Sequence, residues 1–234
     1  MDKPFGRSDL APEKLKLMRD GRFANARVYL FEHGGKRWTV KDFSCRSPIV
    51  RWFLAPYLLG HELKVIRRLS GMRGIAQEAF RIDRNALAIA YQDGVPLSKL
   101  EHTTGYPVEL FKSMEELMNE LHKRGVAHLD ARGTGNWILG SDGYPRLIDF
   151  QAAVFLDYLP KGLRRAVEAI DISGVYKKWA ESSPETMTEA QKRLYAYGQK
   201  CRSKWRFHGY FGAEKSKRHY TRDLEKDASQ DKKA

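Results

Sequence analysis

His128-Leu-Asp-Ala-Arg-Gly-Thr-Gly-Asn-Trp-Ile-Leu-Gly-Ser-Asp-Gly-Tyr-Pro-Arg-Leu-Ile-Asp-Phe-Gln151 contains two short apolar stretches, Trp137-Ile-Leu and Arg146-Leu-Ile. Between them Ser141-Asp142-Gly143 is a hairpin signal. A turn centred on Asp142-Gly143 pairs the strands so that Asn136 stands opposite Asp149, and their side chains converge at one end of the ladder. An amide oxygen beside a carboxylate suits a hard divalent cation such as Mg²⁺, which prefers oxygen ligands and keeps bound water. Asp130 precedes Asn136 by six residues, and the glycine-rich link between them can fold back to bring it to the same place. There it is a reasonable acceptor for a hydroxyl proton during phosphoryl transfer.

Toward the N-terminus, the apolar residues Leu59, Leu63, Ile66 and Leu69 recur at helical spacing, predicting a helix over 56–69 that Gly71 closes. At about 100° per residue, Glu62 falls between Ile66 and Leu69 on this stripe. A carboxylate there is costly unless paired. It either snorkels to water at the edge of the stripe or faces a cation from an adjacent sheet. Lys41 can supply that cation: Arg37-Trp-Thr-Val-Lys-Asp-Phe is strand-like, and Lys41 points away from the face of Trp38 and Val40. Arg27-Val-Tyr-Leu-Phe pairs with this strand through His33-Gly34-Gly35. Residues 79–82 and 86–91 predict two further strands. A patch from Leu10 to Met18 predicts a short helix, and Leu110, Met114, Leu117, Met118 and Leu121 predict a helix over 108–122. The expected class is α+β, strand-rich in its first third and helical afterwards.

The 234 residues, 42% of them hydrophobic, suffice for a packed core. Two cysteines, Cys45 and Cys201, are too few for a disulfide framework, and no Cys/His cluster has zinc-ligand spacing. Neither a signal-peptide stretch nor a long apolar run is present, which predicts a cytoplasmic protein. Forty-two Lys and Arg against 29 Asp and Glu, a formal +13, favour anionic partners.

The order of these residues resembles the protein-kinase-like superfamily. His128-Leu-Asp130 with Asn136 is similar to its catalytic loop, Leu147-Ile-Asp149-Phe-Gln to its metal-binding Asp-Phe-Gly, Val40-Lys41 to its third-strand lysine and Glu62 to its helix glutamate. The resemblance implies a small antiparallel N-lobe with one helix over 1–92, a reduced helical C-lobe over 93–212 and a charged tail over 213–234. It implies ATP and Mg²⁺ as cofactors. Lys41 would hold the α/β-phosphates and Glu62 would orient it. Asn136 and Asp149 would bind the metal, Asp130 would serve the acceptor hydroxyl, and Arg132 would reach the γ-phosphate. The C=O of Ala90 and N–H of Gln92 would meet the adenine edge. Gly21 and Val28 would flank the phosphates, although Gly21-Arg-Phe-Ala-Asn-Ala-Arg-Val28 lacks the other glycines of that loop.

Between Gln151 and Ile170 the only hydroxyl side chain is Tyr158, unlike the phosphorylatable segment of a regulated protein kinase. The chain is more similar to compact bacterial kinases of lipopolysaccharide-core sugars, which implies a glycolipid or small-molecule hydroxyl acceptor. A minimal serine/threonine protein kinase and an inactive binding module are the alternatives. Ile49-Val-Arg-Trp-Phe-Leu-Ala-Pro-Tyr-Leu-Leu, flanked by Arg46, Lys64, Arg67 and Arg68, either packs as core or rests on the anionic inner face of the cytoplasmic membrane. The stretch from Lys192 to Arg222, ten Lys/Arg interleaved with aromatic residues, is either a solvated helix face with a buried aromatic side or a surface for phosphate-rich lipid. Nucleic acid is a further possible partner for it.

Overall fold

The computed structural model describes residues 3–21, 24–100 and 106–204, and Met1–Lys204 forms one compact unit. The charged tail and most of the basic aromatic stretch expected above lie outside the described residues, as do Arg22 and Phe23.

The class is α+β. Five strands, β1 (Leu15–Arg19), β2 (Arg27–His33), β3 (Lys36–Asp42), β4 (Ala79–Arg81) and β5 (Ala86–Ala90), form an antiparallel sheet in the order β1-β2-β3-β5-β4. The β2–β3 ladder runs without a break from Arg27 opposite Asp42 to His33 opposite Lys36, leaving Gly34-Gly35 as a two-residue turn. The helix expected over 10–18 is instead strand β1. A helix of that length is marginal in water, whereas pairing with β2, Leu15 opposite Phe31 and Leu17 opposite Tyr29, satisfies the backbone directly.

Both faces of the sheet are covered. On one face Phe5, from the N-terminal segment, meets Phe31, Trp38 and Phe80 with ring centroids 4.8, 5.6 and 4.9 Å apart. Val40 completes this aromatic layer. Against the other face lies α1 (Ala55–Arg68), which continues a π-helical turn over Val50–Leu54. It buries Leu58, Leu59, Leu63, Val65 and Ile66 against Phe43, Leu87 and Ile89. Leu59 is fully buried, and Leu59→Ala would cost about 2–5 kcal/mol.

The same core continues into α3 (Val108–Lys123), α4 (Lys161–Ser182) and α5 (Glu189–Lys204). The apolar stripe expected on α3 is buried from Leu110 to Leu121. Between these elements lie β6 (Val95–Pro96), the short helix α2 (Leu97–Leu100), β7 (Val126–Ala127), β8 (Trp137–Leu139), β9 (Pro145–Leu147) and β10 (Val154–Phe155). Small sheets β6-β8-β9 and β7-β10 hold the loops described next. Among the described residues no helix is long and apolar enough to cross a membrane.

Candidate functional site

Lys41 projects from β3 toward α1 because its neighbours Trp38 and Val40 belong to the aromatic face of the sheet. Its Nζ donates to Glu62 Oε1 at 2.6 Å and to Asp149 Oδ1 at 2.8 Å. Glu62 is completely enclosed, whereas the Asp149 side chain keeps 27% exposure. One ammonium thus joins the sheet, the helix and the loop after β9. Burial opposes the charge on Lys41, but Asp149 and then Glu62 outweigh it and raise the lysine pKa. Burial raises the Glu62 pKa while Lys41 pulls it down, and the net direction is up. Its Oε2 has no hydrogen-bond partner among the described residues. Asp149 is also penalised by burial, yet Lys41 draws it down to about 2. Asp149 is therefore ionised at neutral pH.

The β8–β9 hairpin departs from its expected register by one residue. Trp137 faces Leu147 and Leu139 faces Pro145. The Gly143 N–H donates to Gly140 C=O, and Gly143 adopts φ +72°. Ser141 and Asp142 are therefore the central turn residues, with Gly143 as the left-handed residue that completes a three-residue loop. Consequently Asn136 is not opposite Asp149: its C=O accepts from the N–H of Ile148 at 3.0 Å. The amide of Asn136 instead turns to Asp130, with Nδ2 donating to the Asp130 C=O at 3.0 Å and to Oδ2 at 2.7 Å. A turn at 131–133 and a 3₁₀ turn over Thr134–Asn136 close the six-residue step between them.

Two further buried residues hold this loop, and neither was singled out as a site residue from the sequence. His128 accepts at Nδ1 from the Asp130 N–H at 3.2 Å, and its Nε2 donates to Ile148 C=O at 3.0 Å. Its ring packs edge-on against Phe150 at 4.8 Å. Asp171, in the middle of α4, accepts from the N–H groups of His128 at 2.7 Å and Leu129 at 2.8 Å, and from His122 Nε2 at 3.0 Å. Leu129 and Asp149 are the two non-glycine residues with positive φ among those described, at 61° and 69°. Each such conformation costs on the order of 1–3 kcal/mol and persists where surrounding contacts enforce it. Here Asp171 holds the backbone at Leu129. Lys41 holds Asp149, while the next N–H, that of Phe150, donates to Glu62 Oε1 at 3.3 Å.

Val28 faces Lys41 across β2–β3, half-buried on the same side of the sheet. Gly21 sits in the β1–β2 connection, where a Cβ would approach Ala26 C=O to 2.2 Å. Ala90 ends β5, and its C=O accepts from Gln92 Nε2 at 3.5 Å. Arg132 is directed to α5, donating to Gln199 Oε1 at 3.2 Å. The structure thus brings Lys41, Glu62 and Asp149 into one ion cluster and joins Asp130 to Asn136. Ile148 hydrogen-bonds to both Asn136 and His128, linking that pair to Asp149.

No group of three or more His, Cys, Asp and Glu side chains is placed to hold a metal ion among the described residues. What the arrangement offers is an ionised carboxylate, an amide oxygen, a buried ammonium and, in Asp130, an exposed carboxylate. No family model matches this chain, and no curated protein matches it in sequence.

Proposed function

We propose that the chain is a two-lobed, protein-kinase-like phosphotransferase that moves the γ-phosphoryl group of Mg-ATP to a hydroxyl acceptor. The observation that carries this reading is Lys41 held at 2.6 and 2.8 Å between Glu62 and Asp149. It forms an enclosed cation flanked by loops that present Asp130 and Asn136. A buried lysine braced by two carboxylates costs stability as a purely structural device, whereas it suits a group that must be aimed at phosphate oxygens.

The donor set fits Mg²⁺. Both Asn136 Nδ2 contacts are to acceptors, which fixes the amide so that Oδ1 is its remaining ligand atom. Asp149 is ionised, and with Asn136 Oδ1 it would supply two hard oxygens, a sparse set that needs phosphate oxygens and water to complete it. Bound there, the ion would neutralise charge on the phosphates. Lys41 would bind the α/β-phosphates, and Glu62 would keep its ammonium in place. In the transfer the acceptor oxygen bonds to the γ-phosphorus, the bond to the β-phosphate oxygen breaks, and the hydroxyl proton passes to Asp130, whose Oδ2 Asn136 steadies. Arg132 meets the γ-phosphate in this reading only if it leaves Gln199.

The proposed acceptor is a sugar hydroxyl of lipopolysaccharide core or a similar glycolipid. The absence of a serine or threonine from 151 to 170 favours this over a regulated protein kinase. The test offers ATP labelled at the γ-position with lipopolysaccharide fragments and, separately, with generic protein substrates. Label in the sugar that is lost in Asp130→Asn supports the proposal. Label in protein alone sinks the glycolipid acceptor, and no label transfer from any source sinks the phosphotransferase.

A further inference from the structure

The π-helical turn and the start of α1 bury one side and leave the other bare. Ile49, Trp52, Phe53 and Tyr57 are between 57% and 76% exposed. They follow one another along a single surface strip, so the stretch expected either to pack as core or to rest on a membrane is only half core. The strip does not stop at α1. Tyr57 stacks on His61 with ring centroids 6.2 Å apart, His61 meets Phe155 edge-on at 5.6 Å, and Phe155 meets Tyr158 at 6.4 Å. Tyr158 is 85% exposed. A contiguous apolar surface of this kind is uncommon unless something covers it.

Charge decides between occupants. From Phe43 to His61 there is no acidic residue, while Arg51 is present and Arg46, largely enclosed, pairs with Asp20. At about 100° per residue, Lys64 lies within about 20° of Tyr57 on the exposed face of α1. Arg51, Lys64 and Arg67 form no ion pair among the described residues. Arg84 lies over the Trp52 ring at 4.5 Å and donates to its C=O at 2.8 Å. A basic partner is disfavoured, and so is the chain's own 205–234 segment, with eight Lys/Arg against five Asp/Glu. A second copy would set the same cations against each other. Exposed Trp, Tyr, Phe and Ile within a cationic rim match the boundary between anionic headgroups and acyl chains.

We propose that the strip from Ile49 to Tyr57, extended by Tyr158, seats the protein on an anionic lipid bilayer, with Trp52 and Phe53 entering the headgroup region. The inference needs no nucleotide, so it stands or falls separately from phosphoryl transfer. The full chain is sedimented with vesicles of phosphatidylcholine alone and of phosphatidylcholine mixed with phosphatidylglycerol. It is expected to partition onto the mixed vesicles, with Trp52 emission shifting to the blue. Phe53→Asp is expected to lower partitioning about tenfold or more, with an unchanged thermal melt because Phe53 is exposed. Trp52→Phe should keep the partitioning and lose the blue shift. The proposal is overturned by failure to bind either vesicle, or by binding that Phe53→Asp leaves intact, which would assign it to charge elsewhere on the chain. A dimer broken by Phe53→Asp without vesicle binding would also overturn it and assign the strip to a second copy.

Discussion

Glu62 Oε1 accepts a 2.6 Å hydrogen bond from Lys41 Nζ inside the protein, with the carboxylate fully enclosed and its second oxygen without a partner among the described residues. Removing the cation therefore does more than remove the proposed ligand for phosphate. Lys41→Met leaves a buried carboxylate unpaired, a change that costs about 3–5 kcal/mol in comparable sites. Turnover should vanish, and urea unfolding should show a loss of that order. Adding Glu62→Gln should recover at least half of the lost stability and none of the activity. If Lys41→Met unfolds at the same urea concentration as the parent, the pair is not the buried ion pair described.

Asp171 should behave as a positioning residue for the loop that carries Asp130. In Asp171→Asn one carboxylate oxygen becomes an NH₂ that faces a backbone N–H. The expected cost is on the order of 2–3 kcal/mol for the unsatisfied donor. Hydrogen exchange of the His128 and Leu129 amides should quicken more than exchange across the β-sheet. Uniform quickening would mean that Asp171 serves only global packing.

Asp130→Asn should leave nucleotide affinity near that of the parent and slow transfer on the order of a hundredfold or more, as loss of a catalytic base does. Asp130 is exposed and its partner Asn136 is buried, so the variant should keep the parent's melting temperature. Single-turnover kinetics make the check. Unaltered transfer would remove Asp130 from the chemistry.

The acid limb of the stability curve carries a signature of Asp149. Its folded pKa lies below the ordinary value of 3.8, at about 2. The unfolded chain therefore binds the proton first as pH falls, and the contribution of Asp149, complete above about pH 4, is lost on the way to pH 2. Glu62, shifted the other way, adds the opposite slope at higher pH. The stability gap between the parent and Asp149→Asn should shrink as pH falls from 4 to 2, measured as guanidinium midpoints. A gap independent of pH would mean that Lys41 does not hold Asp149 ionised.

Much of this arrangement follows from local rules. The helical stripe around Glu62 and the alternation around Lys41 predicted an inward carboxylate and a cation on the facing strand, and they meet. The hairpin register did not follow, because Ser-Asp-Gly satisfies a two-residue turn and a three-residue loop equally, and the difference moves Asn136 from Asp149 to Ile148. Strand β1 was hidden because Leu15–Arg19 gains its conformation from pairing with β2. The left-handed backbone at Leu129 has no sequence signal, since leucine does not prefer it. Asp171 did have one: like Glu62, it is a carboxylate within an apolar helical run, and the demand that it be paired applies equally. The apolar run from Ile49 could not be divided into core and surface until the π-helical turn fixed which side chains point outward.

The central claim is that Lys41, Asn136 and Asp149 together take a nucleotide with its metal. It is tested most directly by calorimetric titration of the full chain with ATP, in Mg²⁺ and then in EDTA, for the parent and Asp149→Ala. Because one carboxylate and one amide oxygen make an incomplete site for Mg²⁺, the parent should bind one ATP saturably in Mg²⁺ and much more weakly in EDTA. Asp149→Ala should show the weak binding in both. No heat of ATP binding by the parent, or binding that neither EDTA nor Asp149→Ala diminishes, would contradict the account.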